Sequence, residues 1–457
     1  MKKNYTMLRK IYILILLTVL ASCEKVVDGD AVYVFDGNTA VKIVDCNYLV
    51  MPTPCGGDIV TIEKADPLAS DKYNFVKISP SGNKTVKEFS YVWTLNLIYD
   101  EDRLDDEEYK NTIDFVTEYV SDHNGYPIMS SGMYNHVKFC RTESGDFVLT
   151  IIDNETEGNY NGSRIGIIKF NADGDVVSKK LDYNVDLTCQ KHLVEACCPL
   201  DDGGYIFFYR PVIGDDDEPD DEPDLFMSRF DNSGNEISKA VLDINDVLNN
   251  CFAGGGSVLI QAGNTLQIID LDGNIKNPSV LEDVNVSNVF FTGGNFYVSY
   301  SDYDERYVFA AFDTDGDEVF SHPFGDKNLS AVIVNAFDLG GGKWFSGFAL
   351  HASRWASEPF DFTNNSRCDA LVVRLQGGGA ECDIIETANA AVAFSIVENS
   401  DGTFTVFYET IESSNTWMSK IYIYRATDLS ALYLADKGFL YEDKPVEDSN
   451  SDNDYDN

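Results

Sequence analysis

Two short boxes recur along most of this chain, and no other feature restricts its fold so tightly. The first is a glycine turn opening a strand of aromatic and β-branched residues, as in Asp202-Gly-Gly-Tyr-Ile-Phe-Phe208. The second is a strand that runs into a tight acidic turn, as in Met227-Ser-Arg-Phe-Asp-Asn-Ser-Gly234. Gly, Asp and Asn adopt the left-handed backbone that tight hairpins demand, so each pair of boxes reads as an antiparallel sheet unit.

The glycine-turn box recurs at Cys55–Ile62, Ser144–Ile151, Asp202–Phe208, Gly254–Ile260, Thr292–Val298, Gly340–Phe345 and Asp401–Phe407. The second box follows at Phe75–Gly82, Ile167–Gly174, Met227–Gly234, Gln267–Gly273, Phe309–Gly316 and Val372–Gly379, with a seventh copy at Ile421–Asp428 that lacks its glycine. Successive second-box glycines stand 92, 60, 39, 43 and 63 residues apart. Apart from the first interval these bracket the roughly 40 to 50 residues of a four-stranded propeller blade. The expected fold is therefore all-β: a β-propeller of four-stranded antiparallel blades, seven-bladed, with eight as the alternative.

The long first interval holds the eight-blade alternative. Gly125 lies 43 residues after Gly82 and 49 before Gly174, so a degenerate blade, or else an insertion, is expected at about 91–140. Ring closure is expected to pair Ala31–Phe35 with the last blade. The domain plan is then a signal peptide over 1–22, a linker over 23–30, one propeller over 31–440, and an acidic tail over 441–457 too polar to fold.

At the N-terminus, Lys2, Lys3, Arg9 and Lys10 precede the apolar run Ile11–Leu20, the pattern of a secretory signal. Leu20-Ala-Ser-Cys23 resembles the bacterial lipobox, which makes Cys23 the acylated first residue of the mature chain. Lys and Arg number 34 against 76 Asp and Glu, a net charge of -42 that excludes nucleic acid as a partner. Signal peptide, lipobox and paired boxes together resemble the β-propeller repeat lipoproteins of Bacteroidetes cell envelopes over roughly 31–435. The resemblance implies a lipid anchor in the outer membrane, at the surface or on the periplasmic side, and no settled activity.

An oxidising compartment suggests local disulfides, with Cys46–Cys55, Cys189 to Cys197 or Cys198, and Cys368–Cys382 as the short-range pairs. Buried free thiols are the alternative. Calcium is suggested by Asp313, Asp315 and Asp317 around one glycine turn, although hairpin chemistry explains every copy of that turn at once. Catalysis has no such pointer: the five histidines are scattered, and neither a nucleophile elbow nor a phosphate loop is present in the sequence.

Two segments interrupt the strand pattern between boxes. Gly214–Asp224 is acidic and broken by proline, and Phe348–Asn365 gathers His351, Arg354, Trp355, Phe360 and Phe362. Aromatic faces beside donors suit a carbohydrate, whereas packing of the same rings onto a blade is the plainer reading. The leading functional expectation is an anchored binding or scaffolding module for an envelope protein or glycan. The alternative is a polysaccharide-active hydrolase or lyase with its site at the propeller funnel.

Overall fold

A computed structural model of the chain describes residues 42–55, 57–65, 72–90, 92–98, 101–123, 137–157, 160–187, 191–212, 224–301, 307–324, 329–339, 342–351, 368–376, 379–385, 391–413 and 418–426. Blade 1 uses the second half of β1 (Lys42–Cys55) with β2 (Asp58–Lys64), β3 (Lys72–Ile78) and β4 (Lys84–Ser90). After β5 (Thr94–Ile98) comes blade 2, formed by β6 (Val137–Arg141), β7 (Phe147–Glu157), β8 (Tyr160–Phe170) and β9 (Val176–Asp186). Blade 3 is β10 (Lys191–Pro199), β11 (Tyr205–Val212), β12 (Leu225–Phe230) and β13 (Glu236–Leu242). Blade 4 is β14 (Leu248–Gly254), β15 (Ser257–Ala262), β16 (Thr265–Asp270) and β17 (Ile275–Leu281).

Blade 5 is β18 (Asn285–Thr292), β19 (Asn295–Ser301), β20 (Tyr307–Asp313) and β21 (Glu318–Phe324). Blade 6 is β22 (Leu329–Leu339), β23 (Gly342–His351), β24 (Cys368–Gln376) and β25 (Gly379–Ile385). Blade 7 is β26 (Ala391–Glu398), β27 (Phe404–Ser413) and β28 (Met418–Ala426), completed by the first half of β1. The protein is a seven-bladed β-propeller.

One strand closes the ring. Lys42–Asn47 of β1 pairs antiparallel with β28, and Tyr48–Cys55 of the same strand pairs with β2, with register shifts around Val50 where the ladder changes partner. The closing segment therefore lies later in the chain than the expected Ala31–Phe35, which falls outside the described residues. β28 has β27 along its other edge, so Lys42–Asn47 fills the position that Ala31–Phe35 was assigned.

The core lies between blades, because each sheet is covered on both faces by its neighbours. In β15 every residue is buried. Val258, Ile260 and Ala262 pack toward blade 3 with Ile206, Phe208 and Met227, while Leu259 packs toward blade 5 with Phe296 and Val298. At about 1.5–3 kcal/mol for each fully buried large aliphatic or Phe side chain, these interblade layers hold the ring together. The outermost strands leave Ile237, Val241, Ile275 and Val319 exposed.

The described residues within 91–140 form no eighth blade. Parallel to β9, β5 extends the outer edge of blade 2, and a helix α1 (Glu107–His123) follows. Asp106 caps the helix, its Oδ1 accepting the Glu108 amide at 3.0 Å. Tyr109, Ile113 and Val116 recur at helical spacing and join the blade 1–2 core beside Trp93, Leu95 and Leu97. Gly125 lies outside the described residues.

The repeated boxes are the hairpins of one face. In the second box the first turn residue uses its side chain as a clasp: Asn171 Oδ1 accepts the amides of Asp173 at 3.0 Å and Asp175 at 2.8 Å. The Gly174 amide donates to the Asn171 carbonyl at 2.9 Å, with Gly174 at φ +85°. Asp231, Asp270 and Asp313 repeat the same two side-chain bonds. The β14–β15 turn is instead a two-residue hairpin with Gly255 and Gly256 both at positive φ. With the first-to-second and third-to-fourth hairpins on this turn face, the second-to-third links and the blade-to-blade crossovers share the opposite, crossover face.

Candidate functional site at the inner strands of blades 2 to 4

The innermost strands bulge at related places. The pairing of β10 with β11 skips Glu195, that of β14 with β15 skips Asn249, that of β18 with β19 skips Ser287, and that of β22 with β23 skips Val334. A bulge re-aims the side chain it releases. In β10 the released residue is a carboxylate, and everything nearby is organised around it.

Glu195 Oε1 lies 2.8 Å from Arg210 Nε, with both side chains largely buried at 10% and 9% exposure. Its Oε2 accepts the Leu248 amide at 2.8 Å, and Arg210 donates to the Ile244 carbonyl at 2.6 Å and the Asp246 carbonyl at 2.7 Å. These bonds reach the crossover entering blade 4 and the first residue of β14, so the pair ties blade 3 to that connection. Burial raises the Glu195 carboxyl, opposed by the Leu248 amide and by Arg210.

Bulging at Glu195 also sets the faces of the next residues. Val194 and Cys197 pack toward blade 2, whereas Ala196 and Cys198 pack toward blade 4 beside Cys251. From β6, Lys138 reaches past blade 3 to place Nζ 3.9 Å above the Phe252 ring of β14. The residue keeps some accessible surface, yet its amine sits among apolar groups and the thiols of Cys251, Cys198 and Cys197. Desolvation lowers it to about 8, which makes it a partly neutral amine near physiological pH. Leu248 opens β14 and Arg210 stands near the crossover end of β11, whereas Glu195 is the middle residue of β10. Nothing local in the sequence marks this group, because its members come from four strands and a bulge that one sequence does not reveal.

The residues expected from sequence fare differently. His351 is the last residue of β23, paired with Leu329, so Phe348–His351 belong to a strand rather than a loop. Arg354, Trp355, Phe360 and Phe362, like Cys23, lie outside the described residues. Trp344, also on β23, is buried, its Nε1 donating to the Leu339 carbonyl at 3.2 Å. Asp313 clasps its own turn and Asp315 pairs with Lys276 at 3.0 Å, so two of the three expected calcium ligands are engaged in hairpin and ion-pair roles. Among the described residues no three His, Cys, Asp or Glu side chains gather to hold a metal.

Two of the expected disulfides conflict with the strands. Cys46 and Cys55 lie nine positions apart on β1, about 30 Å along an extended strand. Cys382 stands opposite Val373, five positions along β24 from Cys368 and so about 16 Å away. A disulfide needs Cα atoms within about 7 Å. Cys189, the partner expected for Cys197 or Cys198, lies outside the described residues.

No family model matches the sequence, and no curated relative is found. Among solved structures, prolyl oligopeptidase B from Galerina marginata aligns at 12% identity and TM-score 0.36, over 80% of this chain and 47% of that one. The N-terminal domain of Nup159 aligns at 9% and 0.31, over 62% and 72%. A protein of unknown function from Bacteroides caccae aligns at 10% and 0.24, over 42% and 67%. The chain spans about half the length of the peptidase. Likenesses this distant bear on neither ligand nor activity.

Proposed function

We propose that the protein is an envelope-anchored lipoprotein, held in the outer membrane through Cys23, whose propeller binds a protein or glycan on its crossover face. The observation that carries the reading is the unequal use of the two faces. The third-to-fourth hairpins of blades 2 to 5 commit the side chain of their first turn residue to the amides of their own turn. The crossover face is where the strands flanking 91–136, 213–224 and 352–367 end, and Arg210 of the buried pair stands near it on β11. Loops set on a rigid scaffold are where binding residues collect.

The glycan branch rests on the residues after His351. A carbohydrate panel probed with the wild type and with Trp355→Ala tests it, alongside a thermal melt of each. Loss of retention with an unchanged melt supports a platform; unchanged retention, or a marked fall in Tm, removes Trp355 as a ligand residue. The anchor is tested separately by metabolic labelling with a palmitate analogue. Label on the wild type and none on Cys23→Ala is expected, and equal labelling would sink the anchor.

A further inference from the structure

We propose that Cys198 and Cys251 join in a disulfide that bolts the innermost strand of blade 3 to that of blade 4 when the chain folds in an oxidising compartment. The inference rests on the extracytoplasmic reading above for its setting, and on the fold for its geometry. The two side chains belong to one interblade cluster, between the innermost strands of blades 3 and 4, and Cys251 is the largest influence on the Cys198 thiol. Both are buried, at 1% and 0% exposure. Strand alternation after the Glu195 bulge selects Cys198 over its neighbour, because Cys197 packs toward blade 2 and only Cys198 faces β14 from the blade 4 side.

The chemistry balances as a thiol–disulfide exchange. Each thiol loses its proton, a new S–S bond forms, and the electron pair passes to an incoming disulfide, such as glutathione disulfide or an oxidoreductase, which leaves as two thiols. The thiolate is the attacking species. In the folded ring the neighbouring Cys251, and then burial, hold the Cys198 thiol well above its usual range, which disfavours the attacking thiolate there. Exchange therefore belongs to folding, before blades 3 and 4 close over the pair. Once made, the bond closes the segment 198–251, most of blade 3 and the entry to blade 4, and restricts the unfolded chain accordingly.

The full chain, denatured and refolded in a glutathione redox buffer, is alkylated under denaturing conditions and mapped without reduction. A peptide pair linking Cys198 to Cys251 is expected, and dithiothreitol is expected to lower the Tm of the refolded wild type by several degrees while leaving Cys198→Ala and Cys251→Ala unmoved. Recovery of both cysteines as alkylated thiols, or Cys198 linked to a different cysteine, overturns the proposal. If an alanine variant does not fold, the wild-type peptide map decides alone. A pair that links in this buffer yet is found reduced in protein taken from cells supports the disulfide and counts against the oxidising compartment.

Discussion

On the turn face the third-to-fourth hairpins of blades 2 to 5 close with the same bonds, residue for residue; on the crossover face a connection of residues 282–284 serves blades 4 and 5 while a strand and a helix intervene between blades 1 and 2. The contrast separates two kinds of constraint. Turn-face geometry is local, fixed by side chains two to four residues apart. Crossover-face geometry is fixed across blades, by groups such as Glu195 and Arg210 whose partners lie on other strands. Variation in length on that face is compatible with rigidity at the points where such groups intervene.

The most severe way to break this comparison is to remove one member of the buried pair. Glu195→Ala leaves the Arg210 guanidinium enclosed without its carboxylate, and a loss of about 3–5 kcal/mol is expected in urea unfolding. A loss below about 1 kcal/mol would show the crossover face to be as loosely held as its lengths suggest. On the turn face, Gly174→Ala meets both a positive φ and the Phe75 ring, which an added Cβ would approach to 2.3 Å. About 2–3 kcal/mol is expected there. Gly256→Ala shares the positive φ but meets nothing within 4 Å, so about 1 kcal/mol is expected. Equal losses at the two glycines would mean that backbone strain alone sets turn-face stability.

A third measurement follows Lys138. Its amine is lowered to about 8 from an ordinary 10.5, so between these values the unfolded chain binds more protons than the folded one. Stability contributed by this group therefore rises with pH across that window. Lys138→Met should flatten that rise in stability measured from pH 7 to 10, and an unchanged profile would assign it to other groups. The smallest effect is expected at Asp231, where the Asn235 side chain and amide hold the carboxyl below the usual range. Its contribution is present at neutral pH and is lost as acid protonates the folded carboxylate, so Asp231→Ala should lower Tm slightly at pH 7 and converge with the wild type in acid.

What could be read from sequence follows the same division. The blade count was legible because Asn171, Asp231, Asp270 and Asp313 mark their turns with chemistry confined to a few residues. The closing strand was not, because Lys42–Asn47 finds its partner in β28 at the far end of the chain, and nothing nearby announces it. Proximity in sequence also misled the pairing of cysteines: Cys46 and Cys55 are near neighbours in the chain but lie far apart along one strand. Cys198 and Cys251 are distant in the chain and share one buried interblade cluster. Lys138 stands in an ordinary strand pattern and is distinguished only by the blade 4 ring it reaches.

The double duty of β1 has a mechanical meaning. Any pull on the segment before Lys42, whether from an anchor or from a translocating machine, reaches the body first through the Lys42–Asn47 ladder with β28 and then through the Tyr48–Cys55 ladder with β2. Two ladders on one strand place the first and last blades in series under that load, so the seam of the ring is also where a tether would transmit force into it.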